Sequence, residues 1–201
     1  MYQWRKLIED ERKALLVHRR ECGHPMHSPP HYVGESGYYH LSAACYEHKP
    51  WIGISPQRMT DFSHALVDIL LALGASCDAW CVLPNHYHVL VKTEDLERTI
   101  GELGHLHGRA SYFWNGVEGR RGRKVWCSPS NRIIRSERHY WATMNYVHHN
   151  AVHHGYSEKW QEWPYTSAHE YLETIGEEEA IRQWKEYPIL DYGKGWDDPA
   201  V

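Results

Sequence analysis

The stretch Asn85-His86-Tyr87-His88-Val89-Leu90-Val91 holds two imidazoles at a spacing that can do chemistry. On a strand, side chains at i and i+2 share a face, so His86 and His88 point one way and Tyr87, Val89 and Val91 the other, into packing. Two co-facial imidazoles are the start of a divalent-metal site. In a chain with 17 histidines, a pair of half-buried strand histidines is the competing reading. In Tyr146-Val147-His148-His149-Asn150, the tyrosine and the asparagine stand at i and i+4, one above the other on a helix. If that face meets the His86 and His88 strand, two imidazoles, a carbonyl oxygen and a nucleophile converge. An interface tyrosine with a satisfied hydroxyl is the alternative. His149 and His153 share the i, i+4 spacing and are rival ligands, and spacing does not choose among them.

Two further histidine groups read differently. His105-Leu106-His107 falls in a helical segment, where i and i+2 are rotated by roughly 200° and cannot share a metal. Cys22, His24, His27 and His31 match no zinc-finger spacing and lie among prolines, so they read as loop.

The elements that must position these residues follow from periodicity. Residues 2–22 read as an amphipathic helix, with Trp4, Leu7, Ile8, Ala14 and Leu15 on one stripe, followed by a Pro/Gly-rich loop. Tyr38 to Tyr46 reads as a strand. Ser55-Pro56 starts a helix with Phe62, Leu66, Ile69, Leu70 and Leu73 on its apolar face and Gly74 as its stop. Ala79 to Leu83 and His86 to Lys92 are strands joined through Pro84-Asn85. Thr93 is the expected cap of a helix to about Trp114. Lys124 to Cys127 and Arg132 to Arg135 are short strand candidates, and Ser136 caps a helix towards His154, stopped by Gly155. That order implies an α+β domain on a mainly antiparallel sheet. It divides into an N-terminal extension (1–37), a core (38–156) and an acidic C-terminal extension (157–201) packed on the core.

Composition bounds the function. The 201 residues suit one domain, and 42% apolar content supports a folded core. The greasiest segment, Ala65 to Ala75, is broken by Asp68, so no spanning helix and no membrane role are expected. Met1 to Lys13 holds no apolar signal core, and five cysteines without a C-x-x-C pair suit a reducing cytoplasm. Net charge is −4, yet Arg109 to Arg138 holds eight Lys/Arg against two Asp/Glu. A basic stretch on an acidic chain is a local electrostatic footprint for nucleic acid. Arg109, Arg120, Arg121, Arg123, Lys124, Arg132, Arg135 and Arg138 are the candidates to track phosphates, and a solvated hairpin face is the alternative. Trp114 and Trp126 are candidates to stack bases or to be buried.

His86-Tyr87-His88 resembles the HUH motif of single-tyrosine transposases, and Tyr146-Val147-His148-His149-Asn150-Ala151-Val152 resembles the Y-I-H-x-N-P-V helix of REP-associated tyrosine transposases. Leu83-Pro84-Asn85 before the pair, Trp163-Pro164-Tyr165-Thr166-Ser167 after the helix and Gly193-Lys194-Gly195-Trp196-Asp197-Asp198 near the end extend the likeness over most of the chain. Ala151 departs from the family's proline. The resemblance implies a ferredoxin-like palm, an antiparallel sheet with helices on one face. It implies His86 and His88 as metal ligands, Asn150 as the third ligand, Mg²⁺ or Mn²⁺ as the metal, and Tyr146 as the nucleophile. His148 and His149 are accessory candidates for activating the phenol.

The activity implied is cleavage and rejoining of single-stranded DNA at hairpin-forming repetitive extragenic palindromes through a 5′-phosphotyrosine, by a monomer or homodimer in the bacterial cytoplasm. No nucleotide phosphate loop of the form G-x-x-x-x-G-K-[ST] is present, as a near-isoenergetic phosphodiester exchange requires none. A non-catalytic palindrome-binding regulator and a water-using metallohydrolase are the other readings; the second does not require Tyr146.

Overall fold

The computed structural model describes residues 37–197, together with positions 8–10, 13, 14 and 17. By contacts the chain divides into units 1–32 and 33–201. Most of the expected helix 2–22 and the loop after it lie outside the described residues; among those described, Glu9, Asp10, Lys13, Ala14 and Val17 are helical.

Unit 33–201 is built on a four-stranded antiparallel sheet. Its strands are β1 (Gly37–Ala44), β2 (Ser76–Val82), β3 (His86–Thr93) and β4 (Ser130–Ile133), in the order β2-β3-β1-β4. β1 pairs with β3 from Gly37↔Thr93 to Ala44↔His86, so the histidine pair lies in the sheet interior, flanked on both sides. Alternation then sorts the residues. Tyr39, Leu41, Ala43, Tyr87, Val89 and Val91 face one layer of helices, formed by α1 (Pro56–Ala72) and α2 (Leu96–Val117). His40, Ser42, His86, His88 and Leu90 face the other, where α3 (Glu137–His153) lies with the C-terminal segment. The fold is α+β as expected. Helices cover both faces of the sheet rather than one, because both alternating sets on β3 are buried.

Helix starts follow the capping chemistry in the sequence. Ser55 Oγ accepts from Arg58 N–H at 3.2 Å, and Ser136 Oγ accepts from His139 N–H at 3.1 Å. Thr93 is not the cap of α2: it ends β3, and Asp95 takes the capping role, its carboxylate accepting from Arg98 N–H at 2.9 Å. Lys124 to Cys127 forms a single bridge, Cys45↔Trp126, in place of a strand. Beyond α3 the chain forms α4 (Ala168–Ile175) and α5 (Glu177–Glu186), then returns over the sheet to Asp197.

Trp114 and Trp126 are core residues, closing the reading of them as base-stacking platforms. Trp126 stacks on His107 with centroids 4.2 Å apart and on Phe62 at 5.3 Å. His107 is buried against the Tyr87 hydroxyl at 3.1 Å, while His105 is exposed beside Glu102, so the two face opposite sides of α2 as the helical rotation requires.

Burial pushes His107 down to about 4 and His148 down to about 3, below the ordinary histidine value of 6.5. Both are neutral in the fold, and the unfolded chain takes up protons first as pH falls below 6.5. Stability is therefore complete above that value and declines from pH 6.5 towards 4, by on the order of 3 kcal/mol per group at the acid end. Urea midpoints measured at pH 7.5 and pH 5 are expected to fall in that direction, less steeply in His107→Gln.

Candidate active site

β3 delivers His86 and His88 to one face, with ring centroids 5.0 Å apart. α3 delivers Tyr146 and Asn150 to the same place: Asn150 Oδ1 lies 3.2 Å from His86 Nε2, and the Tyr146 ring stands edge-on to His88 at 5.3 Å. The four residues that spacing and resemblance nominate are thus brought together, all buried. Three residues that sequence reasoning left out join them. Asp197 Oδ2 is 3.0 Å from His88 Nε2, and its Oδ1 is 3.2 Å from His154 Nε2 and 3.5 Å from His86 Nε2. His40 Nε2 is 3.0 Å from His88 Nδ1. His154 extends the Tyr146, Asn150 spacing by four more residues, a signal present in the sequence. Asp197 lies 47 residues beyond Asn150, and only the fold connects them.

The donor set fits a divalent cation. Asn85 Nδ2 donates to His48 O, which fixes that amide, so Asn85 Oδ1 accepts from His86 Nδ1–H at 2.7 Å. His86 Nε2 is then a lone pair. Asn150 Nδ2 donates to Asp197 Oδ2 at 3.1 Å, which turns Asn150 Oδ1 towards that lone pair. Burial pushes His86 down to about 3 and His154 down to about 4, so both are neutral. Burial also works to raise the Asp197 carboxyl, but its contact with His88 outweighs that and holds it below the ordinary value. The His86 Nε2 lone pair faces Asn150 Oδ1 at 3.2 Å and Asp197 Oδ1 at 3.5 Å with no proton between, a repulsive arrangement that a cation relieves. The candidate ligand atoms of His86, His154 and Asp197 lie within 4.8 Å of one another, so this buried group can hold a metal ion. Behind it, His40 Nδ1 is 3.1 Å from the Tyr192 hydroxyl, and a ring N–H of His88 directed at His40 would orient the imidazole.

Tyr146 is 1% exposed, and its hydroxyl has no hydrogen-bond partner among the described residues. The C-terminal segment lies over it. Tyr192 and Trp196 pack on its ring at 4.9 and 5.6 Å, and Gly193, at φ +95°, comes so close that a Cβ there would sit 2.8 Å from the Tyr146 ring. Glycine is required at Gly193 both for that backbone conformation and for the approach.

His148 and His149 leave the site. His148 Nε2 is 3.1 Å from Ser167 Oγ, its ring against Tyr171, and His149 packs on Trp184 and Trp160. At i+2 from Tyr146, His148 is turned to the other side of α3, and His149 is drawn aside by the two tryptophans. His153 stays near, its ring 6.2 Å from that of Tyr146.

The basic candidates divide. Arg123 is half-buried, bound to Glu118 at 2.7 Å and to Asn115 at 2.8 Å, and stacked over Trp51; Arg58 grips the same Glu118. Arg121 lies over the Tyr112 ring at 4.0 Å, and Lys124 is 4.6 Å from the Tyr46 ring. Glu118 and the aromatic rings thus hold Arg121 and Arg123 in place. Arg120, Arg135 and Arg138 are exposed, and Arg132 stands 4.7 Å over Trp196. Arg123→Ala is expected to cost about 1–3 kcal/mol of stability, because it strips a shielded Glu118 of a partner. Arg120→Ala is expected to leave stability within about 0.5 kcal/mol. Thermal melts of the two variants check this.

No family model matches the chain, and no curated protein matches it. Among solved structures, a REP-associated tyrosine transposase bound to a REP hairpin is similar at a TM-score of 0.56 and 17% identity, covering 71% of this chain and 83% of that one. A Deinococcus radiodurans protein provisionally described as a transposase aligns at 18% identity with a TM-score of 0.40, over 55% of this chain and 86% of that one. The fold of this chain, a four-stranded antiparallel sheet with helices packed on it, is thus similar to that of the solved REP-associated tyrosine transposase.

Proposed function

We propose that the chain cleaves and rejoins single-stranded DNA at hairpin-forming palindromes, with Tyr146 as nucleophile and a divalent metal, Mg²⁺ or Mn²⁺, at His86, His88 and Asn150. The observation that carries this reading is the convergence of Tyr146 and Asn150 from α3 on His86 and His88 from β3. The solved relative's hairpin supports the substrate class. Asp197 and His154 join the same ligand set.

When bound, the metal supplies positive charge that polarises a non-bridging phosphate oxygen and favours the phenolate. The chain supplies the rest. The Tyr146 oxygen attacks phosphorus, the P–O3′ bond breaks, and the strand separates into a 5′-phosphotyrosine and a free 3′-hydroxyl. The phenol proton passes by way of a neighbouring base to the departing O3′; His40, its ring centroid 5.8 Å from that of Tyr146, is the candidate. One phosphodiester replaces another, so the reverse attack by a 3′-hydroxyl rejoins strands without ATP. Exposed Arg109, Arg120, Arg135 and Arg138 are candidates among the described residues to hold phosphates.

Burial of Tyr146 under Tyr192, Gly193 and Trp196 favours a second reading, a palindrome binder that does not cut. The two separate in one experiment. A labelled single-stranded hairpin is incubated with the full chain and Mn²⁺, beside Gly193→Ala, whose added methyl must displace the segment from the Tyr146 ring. Cleavage by either protein supports the enzyme, with the larger rate expected from Gly193→Ala. Tight binding with no cleavage by both supports the regulator.

A further inference from the structure

A cavity of about 400 Å³ opens near one end of the sheet, lined by Tyr38, Ile134, Ser136, Glu137, Tyr140 and Trp141. Tyr38 lies on the same alternating set of β1 as His40, so the cavity and the histidine site share a face of the sheet. Its aromatic walls are held in place. Tyr38 meets Tyr140 edge-on at 5.0 Å, Tyr140 meets Trp141 at 5.1 Å, and the Tyr140 hydroxyl donates to Asp78 Oδ2 at 2.7 Å. Asp78 falls at the register shift between Cys77 and Ala79, and such a bulge re-aims a side chain out of the pleat alternation.

Cations neighbour three of its lining residues. Lys92 Nζ is 5.7 Å from the Tyr38 ring, and the exposed Arg135 and Arg138 bracket Ser136 and Glu137 in the chain. Arg132, over the Trp196 that covers Tyr146, continues the series towards the histidine site. Tyr140 and Tyr146 are six residues apart on α3, roughly 9 Å along its axis and turned about 120° around it. That is within reach of one or two nucleotides.

We propose that this cavity is a base pocket: it takes one unpaired nucleobase of the strand whose phosphate Tyr146 attacks, and it prefers a base with an exocyclic amino group. This rests on the DNA reading above and names a specificity determinant within it. Aromatic walls stack on any base, while flanking arginines hold the phosphates on either side. Preference comes from Glu137, whose carboxylate accepts from the amino group of cytosine, adenine or guanine and finds no such donor on thymine.

The probe is a set of hairpin oligonucleotides carrying 2-aminopurine at each unpaired position in turn, bound to the full chain with Mn²⁺. One position is expected to be quenched by stacking. Trp141→Ala is expected to restore fluorescence at that position alone and to weaken binding about tenfold. Tyr140→Phe, which frees the ring from Asp78 and removes one oxygen, is expected to restore it in part and guards against misfolding of the alanine variant. Glu137→Gln is expected to bind a thymine-bearing strand as the parent does and to lose most of the preference for cytosine, adenine or guanine there. Quenching at no position, or equal quenching in the parent, Trp141→Ala and Tyr140→Phe, overturns the pocket while cleavage of the same strands leaves the proposed function standing. A chain that binds none of the strands overturns both.

Discussion

Tyr146→Phe is expected to lose DNA cleavage and covalent adduct by at least about 10³-fold while keeping hairpin affinity. The variant removes one oxygen from a ring that packs against His88, His40, Tyr192 and Trp196, and all of those ring contacts survive. The removed hydroxyl has no hydrogen-bond partner among the described residues. A buried unpaired hydroxyl is a cost to the fold, so the variant's melting temperature is expected to equal or exceed the parent's. A tyrosine placed for structure alone would give the opposite pair of results, with activity retained and stability reduced. Gel-resolved cleavage and calorimetry on one preparation read both.

The second large effect concerns the histidines. His86→Ala and His88→Ala are each expected to weaken Mn²⁺ binding, measured by titration calorimetry without DNA, by at least about 100-fold, and to abolish cleavage. His107→Ala is expected to leave Mn²⁺ affinity unchanged. It should cost about 2–3 kcal/mol of stability, because it empties the space against Trp126 and leaves the Tyr87 hydroxyl unpaired. His105→Ala, exposed on the opposite side of α2, is expected to change neither. Losses of metal affinity spread evenly over the four variants would contradict the site.

What could be read from the chain, and what could not, divides along the range of the interactions. Strand alternation put His86 and His88 on one face, and helical rotation turned His105 and His107 apart; both are local geometry, and both hold. The i, i+4 spacing of Tyr146 and Asn150 is equally local, and carried one step further it reaches His154. Asp197 is different. Its place beside the histidines depends on how α4, α5 and the segment after them return to the sheet, which no periodicity encodes. The basic stretch divides for a related reason. Charge is visible in sequence, but the partners that consume it are not, and Arg123 is held by Glu118 and Asn115 across the turn after α2. Trp114 and Trp126 offered two fates, and Phe62, Tyr87 and His107, from three separate elements, enclose the pair.

The most direct measurement is identification of the residue that carries the DNA. A single-stranded hairpin labelled at its 3′ end is incubated with the full chain and Mn²⁺, denatured, digested with trypsin and sequenced by mass spectrometry. Since the downstream fragment stays attached through its 5′-phosphate, the label is expected on the peptide containing Tyr146, as a phosphotyrosine ester, and to be absent in Tyr146→Phe. Label on any other residue, or a free 5′-phosphate product with no protein adduct at any time point, would contradict a tyrosine nucleophile and indicate attack by water.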